Sequence, residues 1–358
     1  PVQGAEVEVS AQSALVMTAD AGSVLFQKDA NTQRPMASTT KIMTALLTLE
    51  AAECMGDPTV EITQEMVAVE GSAMGLREGD RITLTNLAAG MLLASGNDAA
   101  NAAALYLDGS LEKFAQRMNS RAAELGMENT HFVTPSGLEG EDAQGLGHYS
   151  TAFDMALLAR EALKNEKFRQ LCGSASAQVE FEYPVKRVTF TNHNKLLTLY
   201  PGCIGVKTGF TKAAGRCLVS AAERDGVTLI AVTLNAPNDW DDHAALLDYG
   251  FTQTEPYDLQ AGDVKLTVPV VGSDVQGVLV RGGSGATVTL AKGDAQRVTR
   301  EISVPAFLYA PVSVGDPVGE VRWYLDGTLL GRAPITAGQP AGVLEKKPGF
   351  WARLIGME

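Results

Sequence analysis

Ser38 and Lys41 stand three residues apart in the run Ser-Thr-Thr-Lys, a spacing that puts a hydroxyl and an amine on one side of a helical turn. A lysine held against protein has its charged form disfavoured, and a neutral amine can take the proton of a neighbouring hydroxyl. A helix N-terminus adds N–H groups and positive potential where an oxyanion would form. Ser110 and Lys113 share the spacing, and there an N-cap followed by a surface lysine is the simpler reading. Ser38 taken alone admits both readings, nucleophile or cap. Ser95, Gly96 and Asn97 form the only Ser-x-Asn in the chain, either a helix-linking loop with two capping side chains or a source of a hydroxyl and an amide for chemistry. Lys207, Thr208 and Gly209 close a strand pattern. They are either an ordinary strand end or a cation, a hydroxyl and a bare backbone that suit a carboxylate-ended peptide docked beside the strand.

The elements that must position these groups are legible in the apolar pattern. Ala14 to Ala19 and Ser23 to Gln27, separated by Asp20, Ala21 and Gly22, predict a β-hairpin. The residues after Lys41 (Ile42, Met43, Ala45, Leu46, Leu47, Leu49) are apolar all round, which predicts a buried helix beginning at Ser38 and a desolvated Lys41. Further helices are expected from Thr85 to Ala94, from the cap Ser110 to a stop at Gly126, from the cap Thr151, and from the cap Asn238 to Tyr249. Gly205 to Gly209, Arg216 to Ala222 and Val227 to Leu234 predict consecutive antiparallel strands. Strands, a helical block, strands and a closing helix make an α+β architecture, an antiparallel sheet covered by a helical cluster. From Gln253 to Ala341 come short β-rich runs between Gly, Pro and Asp, a small all-β domain. The expected divisions are 1–252, 253–341, and a closing 342–358.

In bulk, 358 residues exceed one domain of about 150, and 45% hydrophobic with 20% charged residues is the composition of a globular chain. A net charge of −13 without a Lys/Arg run argues against nucleic acid. No window has the apolar length of a spanning helix. Cys54, Cys172, Cys203 and Cys217 form no C-x-x-C pair and have no histidine at finger spacing, so buried thiols are expected and a metal is not. His148 lies in a Gly-rich acidic loop and His193 in Asn-His-Asn-Lys; each is either a structural hydrogen-bonding group or a substrate contact.

S-x-x-K, S-x-N and K-T-G in that order form the motif set of class A β-lactamases and penicillin-binding proteins. The chain resembles the low-molecular-mass penicillin-binding proteins, the D-alanyl-D-alanine carboxypeptidases, and Ser-Gly-Asn as the middle motif agrees with that branch. Residues 37–44, 131–137, 148–155 and 205–215 fit the resemblance, which covers 1 to about 250 strongly and the β-rich tail more weakly. It implies that Ser38 attacks the carbonyl between two D-alanines, with Lys41 as general base and Ser95 as proton relay to the leaving amine. Asn97 would hold Lys41 and the substrate amide, and Lys207, Thr208 and Gly209 would dock the terminal carboxylate. The N–H groups of Ser38 and Phe210 would form the oxyanion hole, and His148 would sit at the rim. Phe210 departs from relatives with His there, which leaves the backbone hole intact and opens substrate preference.

No cofactor is implied. The implied partners are peptidoglycan pentapeptide stems and, as covalent inhibitors, β-lactams. The implied location is extracytoplasmic after removal of a signal peptide, at the outer face of the cytoplasmic membrane. Phe350, Trp351, Leu354 and Ile355 at helical spacing, with Lys346, Lys347 and Arg353, would form an amphipathic membrane contact or a packed tail. A serine β-lactamase is the nearest rival, but the Glu with an Asn four residues on that a class A enzyme uses for deacylation does not follow Ser95 before His148. A non-catalytic wall-binding or β-lactam-sensing module would not need Ser38, Lys41 and Ser95 together.

Overall fold

A computed structural model describes residues 7–344, and the chain divides into two compact units between Thr254 and Glu255. The first unit is built on β1 (Ser13–Thr18), β2 (Val24–Lys28), β3 (Cys203–Thr211), β4 (Gly215–Arg224) and β5 (Val227–Leu234). They form one sheet in the order β2-β1-β5-β4-β3, antiparallel throughout. The hairpin and the three later strands lie where the apolar runs predict them. Successive side chains of a strand face opposite sides, and in the central strands both sides are buried. Leu15, Met17, Ile230 and Val232 enter the large core, and Ala14, Val16, Leu229 and Ala231 enter a smaller one. That is why β5 is a continuous apolar run and not an alternation.

The large core is filled by α1 (Lys41–Met55), α2 (Leu84–Leu93), α3 (Asn97–Asp108), α4 (Leu111–Glu124), α5 (Ala152–Ala162) and α6 (Glu166–Cys172). The smaller core lies under α7 (Asp239–Thr252), which contributes Leu246 and Leu247. The unit is therefore α+β, helices on both faces of an antiparallel sheet. Ser110 and Thr151 cap as expected, accepting hydrogen bonds from the N–H groups of Lys113 and Asp154 at 3.2 and 3.0 Å. Asn238 precedes α7 without a side-chain cap bond, so the predicted cap is only positional.

In the second unit six strands run in the order Val298–Ser303, Pro317–Leu325, Thr328–Ala337, Gly277–Gly282, Lys265–Val271, Leu308–Tyr309. A separate pair joins Thr254–Gln260 to Ser284–Ala291. Among the described residues no helix is long and apolar enough to cross a membrane. The amphipathic reading of Phe350, Trp351, Leu354 and Ile355 lies outside the described residues. The four cysteines are free, and Cys54 is exposed where a buried thiol was expected. It falls near the C-terminal end of α1, where the helix leaves the core.

Candidate active site

The helix expected from Ser38 begins three residues later. Ala37–Thr40 form a single 3₁₀ turn, and the α-helix starts at Lys41. Ala37 has φ +49°, a left-handed conformation uncommon for a residue with a Cβ. The threonines between Ser38 and Lys41 hold the turn, Thr39 Oγ1 donating to the Met36 carbonyl at 2.6 Å and Thr40 Oγ1 to the Ala37 carbonyl at 2.8 Å. Gly137 presses on it from one side, where a Cβ would stand 2.0 Å from the Ala37 oxygen. Gly209 of β3 presses from the other, where a Cβ would stand 3.1 Å from the Ser38 nitrogen. The edge strand thus brings its backbone to the nucleophile candidate, which stays half-exposed.

Lys41 is fully buried. Its Nζ lies 2.9 Å from Ser38 Oγ, 2.6 Å from Asn97 Oδ1 and 2.7 Å from the Ser136 carbonyl. Burial first, then the charge of Lys207, lowers its pKa well below the ordinary lysine value, against a smaller opposing pull from Asp98. A neutral amine has two N–H groups and one lone pair. Asn97 Oδ1 and the Ser136 carbonyl can only accept and so take both N–H groups, which leaves the lone pair facing the Ser38 hydroxyl.

Ser95, between α2 and α3, has φ +56° and is buried. Lys207 Nζ donates to Ser95 Oγ at 3.1 Å and to the Thr208 carbonyl at 2.9 Å. Burial lowers the Lys207 pKa to about 7. Asn97 is fixed by the preceding loop: its Nδ2 donates to the Glu70 carbonyl at 2.7 Å and its backbone N–H to the Ser72 carbonyl at 2.7 Å. Buried Asp98 clamps that loop by accepting the N–H groups of Met74, Gly75 and Leu76 at 2.8 to 2.9 Å.

Ser38, Lys41, Ser95, Asn97, Lys207, Thr208 and Gly209 are brought together. Ser38, Ser95, Thr208, Phe210, Arg216 and Trp240 line a cavity of about 350 Å³. Phe210 is 65% exposed at its edge. His148 is placed elsewhere. It is buried beneath the 3₁₀ turn, its Nδ1 accepting the Val133 N–H at 2.9 Å and its Nε2, which therefore carries the proton, donating to Thr40 Oγ1 at 2.8 Å. Both ring nitrogens are used within the fold, as the structural hydrogen-bonding reading expects, so no ring nitrogen is left for the rim contact that the resemblance implies. Burial, with smaller contributions from His131 and Lys41, lowers its pKa to about 3. His193 is exposed and lines the cavity.

Ser136 takes part only through its carbonyl, and a backbone acceptor leaves no side-chain signal. Asp98 adjoins the Ser-x-Asn motif, and an acid among Ala99, Ala100, Ala102 and Ala103 is a signal that could have marked it. Arg216 opens the strand that follows the Lys-Thr-Gly motif and could have been grouped with it, whereas Asp239 and Trp240 lie too far from the motifs in sequence.

Residues 2–238 match the family model described as D-alanyl-D-alanine carboxypeptidase, and residues 251–341 match that of the penicillin-binding protein 5 C-terminal domain. The D-alanyl-D-alanine carboxypeptidase DacF of Bacillus subtilis is 34% identical over 354 residues, covering 96% of this chain and 88% of the relative. Among solved structures, penicillin-binding protein 5 from Haemophilus influenzae superposes with a TM-score of 0.70 at 25% identity, over 95% of this chain and 99% of that one. The Streptomyces DD-transpeptidase superposes with a TM-score of 0.65 at 33% identity, over 70% of this chain and all of that one. A serine-lysine pair seated between a Ser-x-Asn loop and a Lys-Thr-Gly edge strand, in a chain matched along nearly its whole length, places the protein in the family of the D-alanyl-D-alanine carboxypeptidases, the low-molecular-mass penicillin-binding proteins.

Proposed function

We propose that Ser38 is the nucleophile through which this serine D-alanyl-D-alanine carboxypeptidase removes the last residue of peptidoglycan stem peptides. The observation that carries the reading is the three-partner setting of Lys41 Nζ, which leaves its lone pair to Ser38 Oγ. In acylation the Ser38 proton passes to Lys41 as Oγ bonds to the carbonyl carbon between the two D-alanines. The oxyanion lies against the N–H groups of Ser38 and Phe210. The C–N bond then breaks, the leaving amine taking a proton through the Ser95 hydroxyl, and D-alanine departs. Lys41, having passed its proton to the leaving amine through Ser95, accepts one from the water that attacks the ester; the bond from the carbonyl carbon to Ser38 Oγ then breaks, Oγ takes back that proton, and the shortened peptide leaves. Asn97 orients Lys41 and reaches the substrate amide, while Thr208, with Lys207 behind it, docks the terminal carboxylate. Residues 1–252 are the catalytic domain in this reading, and 253–341 an accessory β domain.

A β-lactam enters the same step, but its leaving group stays tethered and obstructs the hydrolytic water. Intact mass after incubation with benzylpenicillin is the test. The protein should gain one drug mass, Ser110→Ala should gain it too, and an adduct on Ser38→Ala would overturn the assignment. Stem peptides are exposed outside the cytoplasmic membrane, which supports an extracytoplasmic place of work. A membrane contact through residues 350–358 belongs to the same proposal.

A further inference from the structure

We propose that His148 is a positioning residue for the oxyanion hole: through Thr40 it fixes the Ala37–Ser38 peptide so that the Ser38 N–H points at the cavity. The inference rests on the reading of Ser38 as nucleophile just given, and it assigns a task to a buried imidazole that takes no part in the proton transfers.

The peptide joining Ala37 to Ser38 is trans, so its C=O and N–H point in opposite directions. Whatever holds the Ala37 oxygen therefore aims the Ser38 N–H. That oxygen accepts the Thr40 hydroxyl at 2.8 Å and lies on the side of Gly137, where an added Cβ would stand 2.0 Å from it. The Ser38 nitrogen lies on the side of Gly209, where an added Cβ would stand 3.1 Å from it. Ser38, Gly209 and Phe210 line one cavity, and the Ser38 N–H makes no hydrogen bond among the described residues. It is free for an oxygen that gains charge there. The φ of +49° at Ala37 needs such a hold, because a residue with a Cβ keeps a left-handed conformation only where its surroundings impose it.

Thr40 alone would hold the carbonyl loosely, since a hydroxyl has one proton and rotates. The Nε2–H of His148 occupies a lone pair of Thr40 Oγ1 at 2.8 Å, which leaves the hydroxyl proton for Ala37. The ring is itself fixed. Its Nδ1 accepts the N–H groups of Val133 at 2.9 Å and Thr134 at 3.3 Å, and its face meets Phe132 edge-on with ring centres 5.8 Å apart. Burial keeps it neutral, with a pKa lowered to about 3, so the same donor and acceptor pattern stands at any working pH. Val133 and Thr134 belong to the segment that ends in Ser136, whose carbonyl takes a Lys41 N–H at 2.7 Å. One imidazole thus keeps the nucleophile turn in register with the backbone that orients its base.

The experiment uses the full chain with two probes, benzylpenicillin and the boronic acid analogue of N-acetyl-D-alanine, which bonds Ser38 Oγ through boron and places an oxygen in the hole. Thr40→Val keeps the shape and removes the hydroxyl. It should slow the acylation step by about 10- to 100-fold, part of what the loss of a hole donor costs. Affinity in the non-covalent complex that precedes acylation should stay within about 3-fold, since only the transition state uses the hole. Boronate affinity should fall with the acylation rate, and Thr40→Ser should recover most of both losses. His148→Asn keeps an acceptor for the Val133 N–H but cannot reach Thr40, and it should reproduce the pattern of Thr40→Val. The double variant should lose no more than about 3-fold beyond the worse single one, because both residues act on one peptide. Acylation by Thr40→Val at the parent rate, losses confined to the non-covalent complex, or losses that multiply in the double variant would overturn the role of His148. An adduct on Ser38→Ala would overturn the reading of Ser38 instead, whatever the Thr40 and His148 variants do.

Discussion

At the scale of single residues, the site holds two lysines whose pKa values burial lowers alike and whose partners differ. Lys41 faces a hydroxyl with its lone pair, so acylation should speed up as pH rises through its depressed pKa and then level off. The pH profile of penicillin acylation checks this, and a rate that falls over the same range would mean that the protonated amine is the working form. In the proposed reading Thr208, which lines the cavity, offers a hydroxyl to the carboxylate. Thr208→Val should therefore lose on the order of 1 to 3 kcal/mol of transition-state binding on a free-acid thioester, the range for a lost hydrogen bond to a charged group, and much less on its methyl ester. Type, order and spacing sufficed to pick out Ser38, Lys41, Ser95, Asn97, Lys207 and Thr208, which the fold brings together, but not Asp98. Of the two readings open for His148, the imidazole turns inward to brace Thr40, which agrees with a structural hydrogen-bonding group and not with the rim contact that the resemblance implies.

At the scale of elements, close approach of backbones decides whether the site exists. Gly209→Ala would put a methyl 3.0 Å from the Met36 carbonyl and the Thr39 nitrogen, and must push the edge strand away from the turn. Acylation should fall at least tenfold while thermal stability changes little, because the strand's ladder to β4 is untouched. Gly137→Ala meets the Ala37 oxygen head on at φ +86° and should lower the melting temperature as well as the acylation rate. The sheet strands and capped helices could be read from periodicity because burial on known faces sets their pattern. The 3₁₀ turn at Ala37–Thr40 could not, since its hydrogen bonds come from threonines that a helix N-terminus would also accept. The ribbon Thr59–Glu61 with Arg81–Thr83 escaped notice because three residues a side carry too little period.

At the scale of the molecule, two buried histidines tie stability to pH. His148 and His243, the latter between Ser220 Oγ and Thr233 Oγ1, have pKa values lowered to about 3 from an ordinary 6.5, chiefly by burial. An unfolded chain therefore binds protons between pH 6.5 and 3 that the folded chain refuses. The stability is present above 6.5 and is lost as pH falls, by about 1.4 kcal/mol per pH unit for each histidine. Urea unfolding at pH 7, 6 and 5 should show the slope, and His243→Gln should remove a large part of it. A chain ending at Thr254 should fold and take up penicillin, because every group proposed for the chemistry lies in the first unit; folded but unreactive protein would assign the β domain a part in shaping the site.

The two glycines that flank the nucleophile turn also set limits on antibiotic escape. Selection for resistance favours substitutions that slow acylation by the drug while sparing the natural peptide, and such changes must be graded. At 137 and 209 even the smallest side chain strikes main chain, so neither position offers graded steps. Phe210 is mostly in solvent and in the proposed reading serves the site only through its backbone N–H, so its side chain can change without disturbing the turn. Escape variants raised under β-lactam pressure are expected to accumulate at Phe210 and along the loop clamped by Asp98, and sequencing of such a selection would show whether 137 and 209 stay glycine.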